Sequence, residues 1–197
     1  ASISDFRALP DDVQTKIFNR FMKSFTNTHT NENTDNILGA AIQYAFSQVG
    51  VNQNAPPAYS FYPKGVTTPA TNPIILELLR RQYEKTQRSL PDDVLLYRGV
   101  RKSTVPQGIP SSSWSDSQNA GEHFTDNQRN ATLYYGRVPK KYIFISHLDP
   151  NWRTNYKGEK EYLVAEQAMI PKSVQSAKQA NSSPGKYFQL VEVTVTE

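Results

Sequence analysis

The chain of 197 residues has the length of one substantial domain, and its apolar, charged and aromatic fractions of 37%, 20% and 11% are typical of a folded protein, not a disordered one. The absence of cysteine excludes disulfides, thiolate metal sites and a cysteine nucleophile. The net charge of +4 favours an anionic ligand only weakly, because the basic residues are scattered and a solubilising surface explains them.

The first half of the chain predicts helices. Pro10 suits a first helical turn, where Asp11 and Asp12 complement the positive end of the helix dipole. Polar or proline-rich stretches at 26–36 and 52–72 indicate loops. Three groups of apolar residues recur at helical spacing: Val13, Ile17, Phe18, Phe21, Met22 and Phe25; Ile37, Ala40, Ala41, Tyr44, Ala45 and Val49; and Ile75, Leu78, Leu79 and Tyr83.

The second half predicts strands. A short helix is expected at 116–124. The candidate strands are 94–97, 111–115, 142–146, 162–164, 168–170 and 187–195. Helices first and strands afterwards favour an α+β domain over an alternating parallel one. We therefore expect a single domain over 1–197, with a mainly helical part at 1–90 and a mainly β part at 91–197.

The first candidate site segment is Arg98-Gly99, directly after the apolar run 94–97. A guanidinium is costly to bury unless it is paired, so an arginine at the end of a buried strand indicates an anion. Phosphate fits its planar fork through two parallel hydrogen bonds, and the glycine permits a ligand to approach the backbone closely. The alternative is an arginine that reaches solvent or a structural carboxylate.

The second segment is the serine-rich stretch 111–115, with Phe124 downstream of it. Its hydroxyls offer adaptable donors and acceptors for a ligand. The alternatives are an edge strand with a polar face for the serines and a core position for Phe124.

The third segment is Glu159-Lys160-Glu161, where a loop enters an apolar strand. Residues two apart in a strand point to the same face, and like charges there repel, so stability does not explain the pair. The alternative is that both carboxylates lie in water beside Lys160.

Taken in order, the three segments resemble the arginine–serine–glutamate class of mono-ADP-ribosyltransferases, which includes many bacterial toxins. The resemblance covers about residues 95–170, and the ordered triple is more specific than any one segment. It implies an ADP-ribosyltransferase-like core of two packed antiparallel-rich β-sheets with N-terminal helices, and it implies that NAD binds in the cleft between the sheets.

The resemblance also implies how the cofactor is held. Arg98 would bind the NAD phosphates and Gly99 would shape the pocket. Ser113 would brace the catalytic glutamate, and Ser115 keeps the third position of the family's Ser-Thr-Ser element. Trp114 stands in the middle position, where the family has threonine.

Four further residues receive roles from the same resemblance. Phe124 falls where the family has an aromatic residue that stacks on nicotinamide, and Arg129 lies in the following loop, which contacts the phosphates in the family. Trp152 and Tyr156 would lie on the loop that meets the target protein.

Within the resemblance Glu161 is the catalytic glutamate and Glu159 its upstream partner, and a glutamate upstream goes with arginine as the acceptor. Cleavage between nicotinamide and ribose leaves an oxocarbenium-like sugar, which a carboxylate stabilises as in glycoside hydrolysis. Nicotinamide leaves as a neutral group, so no catalytic histidine is required. Arginine is protonated in water, so Glu159 would hold its guanidinium and take a proton during attack.

The expected activity is therefore that of a NAD+-protein-arginine ADP-ribosyltransferase with NAD as co-substrate. No metal is expected, because His29, His123 and His147 are far apart and lack metal-ligand spacing. The alternatives are a NAD glycohydrolase, transfer to a nucleic acid, and a non-catalytic NAD-binding or interaction module. No aromatic-and-basic stripe supports nucleic acid, and a degenerate module would be expected to have lost the arginine or the glutamate.

The expected setting follows from the same resemblance. The acceptor would be a protein of a host or a competitor, and the chain is expected to be a monomer that is secreted or delivered into a target cell. No apolar run reaches the length of a membrane span. No signal peptide is visible at the start of the chain, which is compatible with a mature or trimmed form.

Overall fold

The computed structural model describes residues 2–27, 73–101, 112–152, 157–164, 169–176 and 187–195. The described helices are α1 (Ile3–Arg7), α2 (Asp11–Asn27), α3 (Pro73–Ser89) and α4 (Gln118–His123). The strands are β1 (Asp93–Val100), β2 (Ser112–Ser115), β3 (Thr132–Pro139), β4 (Ile143–Ser146), β5 (Glu161–Val164), β6 (Met169–Ser176) and β7 (Gln189–Val195). The predicted helix over 37–49 lies outside the described residues.

The first, third and short predicted helices are confirmed as α2, α3 and α4. Helix α1 was not expected, although its start carries a local signal. The Ser2 hydroxyl accepts the backbone N–H of Asp5, and the Asp5 carboxylate accepts the N–H of Ser2. This reciprocal capping satisfies two of the N–H groups that a helix start leaves without intrahelical partners.

The seven described strands form one sheet in the order β4-β5-β2-β1-β3-β7-β6. Neighbouring strands are antiparallel except for β3 and β7, which are parallel. The prediction of an α+β domain with N-terminal helices is confirmed. Strand β3, which lies between β1 and β7, was missed.

A narrow seam divides this sheet. Strands β1 and β3 are paired over their whole length, whereas among the described residues β1 and β2 share only the pair Tyr97–Ser115. The two sheets implied by the resemblance are therefore two halves, β4-β5-β2 and β1-β3-β7-β6, that meet at this pair. Because the backbones part beyond it, the seam leaves room for a cleft.

Helix α3 covers the β4 edge of the sheet. The Tyr83 hydroxyl donates to the carbonyl of Lys141 over 2.8 Å, and the Thr86 hydroxyl donates to that of Phe144 over 2.7 Å. Leu78 and Leu79 are buried on the same helix. An edge strand offers unpaired backbone groups to other chains, so this cover closes the sheet on that side. None of the described helices combines the length and apolar character that a membrane span requires.

Candidate active site

A cleft of about 230 Å³ opens at the seam, where β1 and β2 part. Seven residues singled out from the sequence line it: Arg98, Gly99, Ser113, Ser115, Phe124, Glu159 and Glu161. We call this site the seam cleft. The structure thus brings the three sequence segments, which are far apart along the chain, into one place. In the ranges that the structure describes, no three histidine, aspartate or glutamate side chains are grouped to hold a metal.

The carboxylate of Glu161 lies at the base of the seam cleft. Glu161 begins β5 opposite Ser115, and only 3% of its surface is exposed. The Ser113 hydroxyl donates to its Oε2 over 2.6 Å. Short hydrogen bonds to a charged acceptor are among the stronger ones in proteins, so Ser113 fixes the direction of this carboxylate.

Strand alternation explains why the middle residue of the serine element is a tryptophan. Ser113, Trp114 and Ser115 all border the cleft, but alternation along β2 directs the Trp114 side chain away from the two serine side chains. The indole is 1% exposed and belongs to the hydrophobic core. A large apolar side chain at this position therefore fills the core and leaves both cleft hydroxyls in place.

We expect Trp114→Thr to lower the free energy of unfolding by about 3–5 kcal/mol, because truncating a buried tryptophan loses apolar burial and leaves a cavity. Domains of this kind have about 5–15 kcal/mol in total, so the variant approaches unfolding. Denaturant titration measures the change, with Leu148→Thr, at an exposed position, as the matched control. An unchanged midpoint would show that the indole does not support the core.

Arg98 bridges the two strands where they diverge. Its Nη1 donates to the backbone carbonyl of Ser113 over 2.8 Å. This contact takes the place of a ladder hydrogen bond across the open seam. A guanidinium has five N–H donors in a planar fork, so it can bind several partners at once.

Two glycines set how closely α4 approaches β1. A Cβ on Gly99 would collide with the carbonyl oxygen of Gly121, and a Cβ on Gly121 would lie 2.9 Å from the Tyr97 side chain. Both distances are closer than side chains tolerate, so helix and strand backbones pack directly. Gly121 was not singled out from the sequence as a site residue, yet it lines the seam cleft together with Gly99.

Glu159 reaches the seam cleft from a turn, not from the strand. It ends a short 3₁₀ helix, Lys157–Glu159, and β5 begins only at Glu161. Lys160 between them has a φ of 47°, in the left-handed region that costs a non-glycine residue about 1 kcal/mol or more. Both carboxylates line the cleft. The expectation that strand alternation would place them on one face is wrong, because Glu159 does not belong to the strand.

Phe124 lies at the C-terminal end of α4 and lines the seam cleft with 42% of its surface exposed. Its ring packs edge to face against His123, with ring centres 5.9 Å apart. An exposed aromatic ring beside a polar cleft offers a surface on which a planar ligand can stack.

Three other predicted site residues lie elsewhere or outside the described residues. Arg129 is exposed, stands over the ring of Tyr187 at 5.4 Å and is not among the residues that line the seam cleft. Trp152 is 5% exposed and belongs to the hydrophobic core, so little of its ring is available to a target protein. Tyr156 lies outside the described residues.

A polar cluster behind the glutamate turn was missed. The Asp116 Oδ2 atom lies 2.8 Å from Nε2 of His147 and accepts the hydroxyl of Tyr162 over 3.0 Å. Burial, together with the charge of Asp116 and the hydrogen bond to it, raises the pKa of Tyr162, so the phenol stays a donor. These residues come from three separate segments, and no local spacing in the sequence connects them.

No protein-family model matches the sequence, and no curated protein matches it. Solved structures that resemble the chain include ADP-ribosyltransferases. A mutant of the eukaryotic enzyme ART2.2 in complex with NAD is 12% identical, with 94% of this chain and 80% of that chain covered and a TM-score of 0.41. The C3 exoenzyme of Clostridium limosum is 11% identical, with 96% of both chains covered and a TM-score of 0.42. The ADP-ribosyltransferase Vis of Vibrio splendidus, solved with an inhibitor, is 12% identical, with 96% and 86% covered and a TM-score of 0.36. At such identities and TM-scores, these likenesses decide nothing about the activity of this chain.

Proposed function

We propose that this protein is a NAD-dependent mono-ADP-ribosyltransferase that transfers ADP-ribose to an arginine of a target protein and releases nicotinamide. The observation that carries the proposal is the buried Glu161 carboxylate, held by Ser113 in the cleft that Arg98 bridges. A fixed negative charge, a guanidinium and an exposed aromatic ring in one cleft match the sugar, the phosphates and the nicotinamide of NAD.

The size of the seam cleft supports binding of part of a dinucleotide. Pockets that enclose whole drug-sized ligands measure about 300–1,000 Å³, and the seam cleft, at about 230 Å³, is smaller. It suits nicotinamide and its ribose, with Phe124 stacking on the planar ring. The pyrophosphate then lies at the cleft mouth, where Arg98 offers charge-assisted hydrogen bonds.

Glu161 supplies the charge that the bond cleavage requires. As the bond from ribose C1′ to the nicotinamide nitrogen breaks, its electron pair goes to nicotinamide and positive charge develops on the sugar. A carboxylate that accepts the ribose 2′-hydroxyl stabilises that charge, as in glycoside cleavage. Ser113 keeps the carboxylate aimed before the substrate arrives, so no reorganisation is needed during the reaction.

Glu159 is suited to the acceptor. It lines the seam cleft together with Glu161 but is less buried, at the end of the turn before β5. Its carboxylate pairs with an incoming guanidinium, and it accepts the proton that the attacking nitrogen loses when the new bond to C1′ forms. Water in the same position gives NAD hydrolysis.

The target protein belongs to a host or a competitor, and the enzyme is secreted or delivered to it.

The direct test incubates the purified chain with isotope-labelled NAD and agmatine, a small guanidine, and follows nicotinamide release and labelled agmatine separately. The expected result is label on agmatine together with released nicotinamide. Mass spectrometry of labelled protein from a cell lysate then gives the target and the modified residue. Nicotinamide release without any labelled guanidine or protein would support a NAD glycohydrolase, and no release would refute the proposal.

We expect Glu159→Gln to abolish most arginine labelling while nicotinamide release from NAD continues. Glutamine keeps the shape of the side chain but can neither pair with a guanidinium nor take its proton. The loss in agmatine labelling should reach about a hundredfold, the lower range for removal of a general base. The control is Glu84→Gln, an exposed glutamate on α3. Equal losses in both reactions would show that Glu159 serves NAD cleavage itself.

A further inference from the structure

The turn that carries both glutamates is held at three consecutive backbone carbonyls. The hydroxyl of Ser115 donates to the carbonyl of Glu159 over 2.6 Å, and the N–H of Asp116 donates to that of Lys160 over 3.4 Å. The N–H of His147 donates to the carbonyl of Glu161 over 2.7 Å. Two of the three donors come from the end of β2, and the third comes from the end of β4.

The side chain of Asp116 joins the segments that provide these donors. Its Oδ2 atom contacts Nε2 of His147 at 2.8 Å and the hydroxyl of Tyr162 at 3.0 Å. An ionised carboxylate only accepts, so both neighbours donate to it. The rings of His147 and Tyr162 also pack edge to face, with centres 5.5 Å apart. One carboxylate therefore ties the ends of β2 and β4 to the strand that follows the turn.

The backbone of this turn requires such support. Lys160 holds a left-handed backbone, with a φ of 47°, which a lysine does not prefer. A backbone in such a conformation persists only where its surroundings over-determine it. Glu159 and Glu161 stand on either side of Lys160, so relaxation of this residue would move both carboxylates.

We infer that Asp116, with His147 and Tyr162, forms a clamp that positions the two carboxylates of the seam cleft. These are positioning residues: none of the three is among the residues that line the cleft. The inference rests on the proposed function for its kinetic consequence, but its structural consequence, a rigid turn at 157–161, can be measured without any activity.

The kinetic test compares Asp116→Ala with Asp93→Ala, which removes an exposed aspartate at the far end of β1. We expect Asp116→Ala to lower kcat for nicotinamide release by about tenfold to a hundredfold, because small misplacements of reacting groups cost rates of that order. The dissociation constant for NAD should stay unchanged, since Arg98 and Phe124 are untouched. A folded Asp116→Ala variant with unchanged kcat would overturn the clamp, as would a weaker NAD affinity that accounts for the whole loss.

Two milder variants keep the test informative if Asp116→Ala does not fold. Tyr162→Phe removes only the hydroxyl that donates to Asp116 and should give a smaller loss of kcat. His147→Gln keeps an N–H donor near the same place and should retain more activity than His147→Ala. Equal activity of the two His147 variants, with unaltered kcat in Tyr162→Phe, would overturn the clamp.

Hydrogen exchange followed by mass spectrometry separates failure of the clamp from failure of the proposed function. In Asp116→Ala, peptides that cover 145–149 and 157–164 should exchange faster than in the unmodified protein, because without the Asp116 carboxylate the hydrogen bond from the His147 amide to the Glu161 carbonyl opens more often. Asp93→Ala should leave them unchanged. If the unmodified protein releases no nicotinamide, the proposed function fails, and unchanged exchange in these peptides would refute the clamp independently.

Discussion

Glu161→Gln is expected to lower kcat for nicotinamide release by about a hundredfold to a thousandfold, the cost of removing one preorganised group that stabilises charge in a transition state. The substitution keeps the volume of the side chain. The Ser113 hydroxyl can also accept a hydrogen bond, so it can pair with the new amide as it now pairs with the Glu161 carboxylate. The loss should therefore appear in kcat, with the affinity for NAD and the stability nearly unchanged.

The measurement is steady-state nicotinamide release alongside calorimetric titration with NAD and thermal unfolding. Glu84→Gln serves as the matched control at an exposed position on α3. Ser113→Ala should give an intermediate loss of about tenfold, since it removes one hydrogen bond that orients the carboxylate. Full activity in Glu161→Gln would remove the mechanistic basis of the proposed transferase.

Seven of the residues that line the seam cleft could be predicted because their signals are local. An arginine after an apolar run, hydroxyls at alternate positions and two glutamates at the entry to another apolar run are visible within a few residues each. Alternation also accounts for Trp114 once β2 is known, since the residue between two cleft serines must face the core. The helices α2 and α3 could be predicted equally well, because their apolar residues repeat at the helical period.

Strand β3 could not be recognised in the same way. Its apolar run ends at Gly136, a residue that weakens a strand when considered alone. The structure gives the reason for the glycine: a Cβ there would lie 2.6 Å from the carbonyl oxygen of Val193 on the neighbouring β7. The need for glycine at this position arises from β7, which is far away along the chain. In the sequence alone, Gly136 therefore resembles the end of a strand.

The clamp around Asp116 is a further example of a non-local arrangement. Asp116 follows β2, His147 follows β4 and Tyr162 lies within β5, and only the sheet order β4-β5-β2 makes them neighbours. The sequence does not predict the left-handed conformation of Lys160 either, because lysine has no preference for it. Motifs thus indicate which groups carry the chemistry, whereas strand pairing determines how those groups are held.

Arg98→Lys is expected to weaken NAD binding by about tenfold to 150-fold, the equivalent of about 1.5–3 kcal/mol for a hydrogen bond to a charged group. The guanidinium can bridge two partners at once: Nη1 donates to the Ser113 carbonyl, and in the proposed function another edge of the same planar group binds phosphate. A lysine ammonium is a compact point charge that cannot span both. A lysine at this position can therefore contact either the Ser113 carbonyl or the phosphate, but not both.

Calorimetric titration with NAD at two salt concentrations measures this effect, and Arg137→Lys, in an exposed ion pair with Asp93, is the matched control. Arg98→Lys retains the positive charge, so the dependence of affinity on salt should stay while the affinity itself falls. An unchanged dissociation constant would show that the phosphates lie elsewhere. A loss of thermal stability equal to that of Arg98→Ala, with NAD affinity retained, would restrict Arg98 to joining β1 and β2 at the seam.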